Sequence, residues 1–258
     1  MKFGIIIKIE VDKMIKHILM DLGNTIINNI DFNLKLGLKI LYNQSMNKKI
    51  ELDNFISIGF ELMKEMYKDR NIDNLEVPFI KYLSNLEKIT DIKYIKSYDE
   101  LELEIYQKCV KDKIIDDAFD FLVFAKKYGL KVYIYSNSTF SKKVLMKTID
   151  KFQLTDLIYE LYSSSDVGFR KPSYEFFSKT DLFNNINKDE SIFIGNDYYY
   201  DRLFAKAIGI NSGWYNINKK EENGQNVALN FSNYQTLKEF ILNYDMYSKG
   251  ILTLASYN

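Results

Sequence analysis

Apolar residues along this chain fall into short runs that end on polar side chains, and these runs are separated by stretches with helical spacing. The first run spans residues 17–20 and ends on Asp21. Later runs span 130–135 and 191–194, and a polar side chain follows each of them within two residues. Short, nearly all-apolar runs are typical of strands that are buried on both faces of a parallel sheet.

Segments of helical periodicity lie between these runs. One amphipathic helix is predicted from Asp116 to just before Gly129, which suits the left-handed position after a lysine-rich last turn. Ser141 is predicted to cap the next helix, and Pro172 to pre-form the start of a later one. The pattern further predicts helices over 141–152, 174–182 and 200–208, and strands over 158–162 and 211–216. Alternation of strand and helix predicts a doubly wound α/β fold with right-handed crossovers.

A long helical insertion interrupts this alternation. Between residues 33 and 110 the apolar side chains recur at helical spacing, first around Leu38 and then around Phe55 and Leu62. The sequence therefore predicts one α/β domain formed by residues 14–32 and 111–250, with an all-helical unit inserted at 33–110. Some aromatic side chains of the insertion are expected to face the site.

Composition restricts the classes of partner. Lysine plus arginine equal aspartate plus glutamate at 35 each, so no overall field favours a nucleic-acid polymer or an anionic membrane. The single histidine, His17, excludes zinc sites built from several histidines and any Ser-His-Asp triad. The single cysteine, Cys109, excludes an intramolecular disulfide framework and favours a cytoplasmic protein. We therefore expect a small-molecule partner.

The polar residues at the strand ends suit the handling of phosphate. Ligands of doubly wound sheets bind outside the carboxyl ends of the strands. Asp21 could attack phosphorus through one oxygen and bind Mg²⁺ through the other, with the Gly23 carbonyl as a second ligand. Either Asp201 or Asp197 would complete the protein's share of that site. The Ser136 hydroxyl and the turn that contains Asn137 could bind phosphate, and Lys171 would neutralise the group being transferred.

The order aspartate, serine, lysine and acidic loop resembles the haloacid dehalogenase-like (HAD-like) superfamily, in its phosphatase and nucleotidase-like branch. The resemblance covers residues 15–245 and implies a Rossmann-like core, a helical cap at 33–110, Mg²⁺ dependence and an aspartyl-phosphate intermediate. It further implies that Asp21 is the nucleophile, Ser136 a phosphate ligand, Lys171 the charge stabiliser and Asp201 the metal-loop acid.

Two positions depart from the family pattern. Phosphatases of the family usually carry a general acid and base two residues after the nucleophile, where this chain has Gly23. Loss of such a group slows catalysis by roughly two to four powers of ten, although members with an Asp-Leu-Gly-Asn opening exist. Asn196 stands where the first metal-loop carboxylate is usual, and its amide oxygen would bind Mg²⁺ more weakly, with Asp197 as a partial substitute.

The sequence therefore predicts a Mg²⁺-dependent phosphohydrolase that acts on a small phosphomonoester, either a nucleoside monophosphate or a sugar phosphate. Two alternatives remain open at this stage. One is a catalytically weakened protein that binds phosphate or a metabolite, and the other is a 2-haloacid dehalogenase. At the N-terminus, residues 3–9 suit an extra edge strand, or Met14 is the true start.

Overall fold

The computed structural model describes residues 14–220 and 227–244, and the predicted edge strand at 3–9 lies outside these ranges. Its strands are β1 (His17–Met20), β2 (Ile27–Phe32), β3 (Val110–Ile114), β4 (Lys131–Ser136), β5 (Glu160–Ser163), β6 (Ser191–Gly195), β7 (Asn211–Tyr215) and β8 (Leu229–Phe231). Its helices are α1 (Leu34–Asn43), α2 (Leu52–Tyr67), α3 (Arg70–Asp73), α4 (Phe79–Thr90), α5 (Tyr98–Cys109), α6 (Asp116–Lys127), α7 (Lys142–Lys151), α8 (Ser164–Val167), α9 (Glu175–Ser178), α10 (Tyr200–Ile208) and α11 (Tyr234–Leu242).

The central sheet has six parallel strands in the order β5-β4-β1-β6-β7-β8. The middle strand β1 lies between β4 and β6, and Met20 pairs with Ile134 on one side and with Ile194 on the other. Residues on both faces of these strands are buried, which explains their continuous apolar runs. The predicted doubly wound α/β fold is confirmed.

Parallel strands end at a common edge, and this geometry brings distant parts of the chain together. Asp21 follows β1, Ser136 ends β4, and Asn196 follows β6. The backbone N–H of Asp21 donates to the Ile194 carbonyl at 2.9 Å, which continues the ladder one residue beyond the strand. Because β1 lies between β4 and β6 in the sheet, these three residues are neighbours.

Between β2 and β3 the described chain is helical, with α1 to α5 packed on one another. An antiparallel pairing of β2 with β3 closes the base of this unit. Sequence periodicity missed both strands, because β3 alternates half-buried and exposed residues and has too few apolar side chains to stand out. Helix α5 begins with a capping box in which Ser97 and Glu100 satisfy each other's backbone amides.

Other local predictions need correction. The helix predicted over 174–182 is only the short α9, followed by a 3-10 turn at Asp181–Asn184, so Pro172 does not begin a helix. Ser141 precedes α7, but its side chain makes no capping bond, since the hydroxyl donates to Glu102 instead. The sequence interpretation also overlooked β8 and α11. Within the described ranges no helix combines the length and the apolar character that a bilayer crossing requires.

Candidate active site

A buried lysine lies at the centre of the strand-end cluster. Lys171 is 2% exposed, and its ammonium donates to Asp21 Oδ1 at 2.6 Å and to Asp201 Oδ1 at 2.7 Å. Burial lowers the pKa of this amine, but the two carboxylates outweigh burial and leave the pKa above its ordinary value. Lys171 is therefore a fixed cation between two carboxylates.

Asp201 comes from the first turn of α10 and is equally buried. Its Oδ2 accepts from the Asp197 backbone N–H at 2.9 Å. Burial raises the pKa of Asp201 to about 7, Lys171 acts against this rise, and Asp21 adds to it. The approach of this carboxylate depends on Gly195, because a Cβ built there would lie 2.1 Å from Asp201 Oδ2.

Asn137 fixes the backbone on which the lysine is carried. Its side-chain oxygen accepts from the Lys171 N–H at 2.7 Å, and its side-chain nitrogen donates to the Lys171 carbonyl at 3.1 Å. The amide of Asn137 is thus engaged with the lysine loop. Ser136, the last residue of β4, is 6% exposed and lines the cavity above Asp21.

Thr25 joins the nucleophile candidate to the acidic loop, and sequence reasoning gave it no role. Its hydroxyl lies 3.2 Å from Asp21 Oδ2 and 3.2 Å from Asn196 Oδ1. The Thr25 carbonyl in turn accepts from the Tyr234 hydroxyl at 2.7 Å, so α11 supports this turn. Oxygen atoms of Asp21 and Asn196 therefore face a common point.

Asp197 has a different environment. It is exposed, and its Oδ1 accepts from the backbone amides of Tyr199 and Tyr200 at 2.9 and 2.8 Å. This carboxylate holds the turn that starts α10. Nearby, Tyr198 packs on Trp214, and the Trp214 ring N–H donates to the Asn196 carbonyl at 3.1 Å, so the aromatic run braces the loop.

Two cavities meet at Asp21. The smaller, of about 220 Å³, is bounded by Lys171 and by residues of the loop between β6 and α10. The larger, of about 640 Å³, lies between the helical insertion and the sheet edge. Asp21 and Asn137 line both. The larger one is further lined by Asp31, Leu34, Met63, Tyr67, Arg70, Phe79, Tyr106 and Phe140. Tyr67, Phe79 and Tyr106 are aromatic residues of the insertion, some of which were expected to face the site.

The oxygen atoms of the cluster fit a hard divalent cation. In the part of the chain that the structure describes, no three His, Cys, Asp or Glu side chains form a metal-binding group. The set is instead mixed, with the carboxylates of Asp21 and Asp201, the amide oxygen of Asn196 and the backbone at Gly23. Carboxylate and carbonyl oxygens are the ligands that Mg²⁺ takes, usually alongside water and substrate oxygens.

A family model described as haloacid dehalogenase-like hydrolase matches residues 18–215, which include every residue of this cluster. The chain belongs to this family. It is therefore a HAD-like hydrolase, as its sequence motifs predicted. No curated protein matches the sequence.

Solved structures share the HAD fold at low identity. A HAD phosphatase from Thermococcus onnurineus is 20% identical with a TM-score of 0.58, over 88% of this chain and 98% of that one. A 2-haloacid dehalogenase from Pseudomonas syringae is 14% identical with a TM-score of 0.60, over 90% and 100% of the two chains. The magnesium-bound HAD-hydrolase YfnB from Bacillus subtilis is 19% identical with a TM-score of 0.53, over 89% and 99%. Both reaction types occur among these HAD structures, so the fold by itself leaves the reaction open.

Proposed function

We propose that this HAD-like hydrolase is a Mg²⁺-dependent phosphohydrolase that acts on a small phosphomonoester, such as a nucleoside monophosphate or a sugar phosphate. The observation that carries the proposal is the buried ammonium of Lys171 held between Asp21 and Asp201. A second carboxylate beside the lysine suits a site that binds a divalent cation together with a phosphoryl group.

The reaction proceeds in two displacements. One carboxylate oxygen of Asp21 attacks phosphorus, the P–O bond to the leaving group breaks, and the departing oxygen takes up a proton from water, since Gly23 offers no donor. Water then attacks the phosphorus of the aspartyl-phosphate, which releases inorganic phosphate and restores the carboxylate. Lys171 offsets the charge of the phosphoryl oxygens throughout, and the Ser136 hydroxyl donates to one of them.

Asp21, the Gly23 carbonyl, Asn196 and Asp201 would hold the cation. A bound Mg²⁺ would neutralise negative charge on Asp21 and on the phosphoryl oxygens. Asp197 is a poorer candidate than Asn196, because its carboxylate already accepts two backbone amides. With two carboxylates instead of three, the site should bind Mg²⁺ weakly.

The two cavities divide the substrate between them. The phosphoryl group occupies the smaller one, beside Lys171, and the leaving group extends into the larger one beneath the helices at 33–110, which we take as the cap domain. A volume of about 640 Å³ with mostly apolar walls accommodates a nucleoside or a sugar but not a polymer. Closure by these helices excludes water from the phosphoryl transfer.

The proposal is tested by phosphate release from a panel of phosphomonoesters with and without Mg²⁺. Asp21→Asn is expected to abolish release, and chelation of the metal is expected to do the same. Because Gly23 provides no proton donor, aryl and acyl phosphates should react much faster than alkyl phosphates. Asp189→Asn is the matched control, since it alters an exposed carboxylate that lines neither cavity, and it should retain most activity.

Two other outcomes would replace the proposal. Chloride release from a 2-haloacid, lost in Asp21→Asn and indifferent to Mg²⁺, would identify a dehalogenase. Phosphate binding without turnover on any ester of the panel would identify a phosphate-binding protein on a HAD scaffold. Undiminished phosphate release by Asp21→Asn would exclude Asp21 as the nucleophile.

A further inference from the structure

Arg170, next to the central lysine, is a buried cation whose role neither the fold nor the proposed chemistry explains. The residue is 7% exposed, and its Nε and Nη1 atoms have no hydrogen-bond partner. Burial lowers the pKa of its guanidinium below the ordinary value, but arginine stays charged in proteins. A buried, unsatisfied charged group is unfavourable in the absence of a partner.

The acidic side chain that most affects the pKa of Arg170 already has other partners. The Glu76 carboxylate raises the pKa of Arg170 against the effect of burial, but its Oε2 accepts from the Ser164 hydroxyl at 2.7 Å. Its Oε1 accepts from the Val77 N–H at 3.0 Å and faces Arg70 at 3.6 Å. Among the described residues Arg170 forms no ion pair, so no carboxylate in those ranges binds this guanidinium directly.

The backbone holds Arg170 firmly in this position. Its N–H donates to the Asn74 carbonyl at 2.9 Å, and its carbonyl accepts from the Ser173 N–H at 2.9 Å. The first bond comes from the helical insertion and the second from the lysine loop. An unpaired charge on an anchored backbone is the arrangement expected for a preorganised ligand site.

Arg170 lines the same cavity of about 220 Å³ as Asp21, Lys171 and Asp201. Three aspartates and two cations line it, so the formal charge is one negative, and a divalent cation would leave it one positive. Without Arg170 the loaded cavity would be neutral. The arginine therefore supplies the excess positive charge that attracts a dianion into this cavity.

We propose that Arg170 is a substrate-binding residue, a second cation that binds the oxygens of the phosphoryl dianion beside Lys171. This inference rests on the proposed function, which it deepens. It assigns the cavity to a tetrahedral dianion and predicts that monoesters bind better than diesters, which carry one negative charge. The planar guanidinium suits two oxygens of one phosphate at once.

Binding of inorganic phosphate in the presence of Mg²⁺, measured by calorimetry, tests the proposal without any need for turnover. Arg170→Gln and Arg170→Met are expected to weaken phosphate binding by about 10- to 100-fold, as loss of hydrogen bonds from a charged group does. In the absence of phosphate their melting temperatures should equal or exceed that of the wild type, since an unpaired buried charge is removed. Arg202→Gln is the control, because this arginine also has an unpartnered Nε but lies outside the cavity.

The possible results separate this inference from the proposed function. Wild-type affinity for phosphate in both variants would overturn the role of Arg170, even if the wild type hydrolyses phosphomonoesters. Failure of both variants to fold would make Arg170 a structural residue and would overturn it as well. A wild type that binds phosphate through Arg170 but releases none from the ester panel would sustain the inference while the proposed hydrolysis fails.

Discussion

At the scale of single residues, the site depends on groups that are unfavourable alone and stable together. Lys171 is buried between Asp21 and Asp201, and each of the three would be costly to bury without the others. Asn137 and Thr25 hold the backbone and the carboxylate of this cluster without entering its charge balance. Small residues next to the cluster matter because they leave the charged groups room to meet.

Gly195 is the residue for which this argument is sharpest. We expect Gly195→Ala to push Asp201 away from Lys171, since the added Cβ would lie 2.1 Å from its Oδ2. Phosphate release should fall at least about 10-fold, and stability should drop by about 1–3 kcal/mol, as overpacking and misplacement predict. Steady-state kinetics and urea unfolding measure both effects.

Gly37→Ala is the control for this substitution. A Cβ at Gly37, inside α1, would meet Ile105 at an ordinary 3.4 Å, and alanine favours a helix. This variant should keep its activity and lose no stability. Equal behaviour of the two variants would contradict the account of Gly195.

At the scale of elements, the helices of the insertion are tied to the core through polar side chains. Glu102 of α5 accepts from the backbone N–H of Ser141 at 2.9 Å and from its hydroxyl at 2.7 Å, at the residue that precedes α7. The first turn of α7 thus receives its acceptor from another helix. This explains why Ser141 does not cap its own helix.

The carboxyl of Glu102 makes this tie dependent on pH. Burial raises the pKa of Glu102 above its ordinary 4.5, the Ser141 bonds oppose the rise, and Asp166 and Asp99 add to it. The folded chain therefore binds more protons than the unfolded chain above pH 4.5, and stability is lost as pH rises through the folded pKa. Compared with Glu102→Gln, the wild type should lose free energy of unfolding between pH 4.5 and 7, measured by urea titration.

Glu104→Gln, on the same helix, is the control for which the pH dependence of stability should have the opposite sign. Hydrogen bonds from Lys108 and Lys96 lower the pKa of Glu104, so its contribution is present above pH 4.5 and is lost as pH falls. The free energy of unfolding of the wild type should therefore increase relative to that of Glu104→Gln as pH rises. If the stability difference between wild type and variant changes with pH in the same direction for both variants, burial does not raise the pKa of Glu102.

At the scale of the whole molecule, the insertion supports the loop that carries Lys171. Leu75 bridges to Phe169, and the Glu76 N–H donates to the Gly168 carbonyl at 3.1 Å. In a second contact between the insertion and the core, the Tyr67 hydroxyl lies 3.1 Å from the Thr139 hydroxyl. Residues of the insertion therefore contact both the loop that carries Lys171 and Thr139, which follows β4.

Glu76 lies at the contact between the insertion and the loop that carries Lys171, and its side chain is fully buried. We expect Glu76→Ala to cost about 1–3 kcal/mol, because the Val77 N–H loses its acceptor and Arg70 loses its carboxylate partner. Hydrogen exchange should rise in residues 74–79 and 163–171 but not in α6, and KM for a phosphomonoester should increase. Glu65→Ala, which removes an exposed partner of Lys68, should change neither. Unchanged exchange in 163–171 would refute the coupling.

The sequence by itself determined the alternating elements and the polar residues Asp21, Ser136 and Asn196 at the strand ends. These depend on local patterns, since a buried parallel strand must be apolar and the residue after it is free to be polar. For the same reason the helix ends at Gly129 and Gly209 were readable, and both glycines have the left-handed backbone. Elements with mixed exposure, such as β3 and α9, carried no such signal.

Only the tertiary structure decided how side chains from distant segments share their partners. Asp197 and Asn196 are adjacent in sequence but have different partners. Asp197 accepts from the backbone at the start of α10, whereas Asn196 accepts from the Thr25 hydroxyl. Arg170 has no paired carboxylate because Glu76, 94 residues earlier in the chain, accepts hydrogen bonds from other donors. Charge pairing and burial are properties of three-dimensional neighbours, and no periodicity along one chain encodes them.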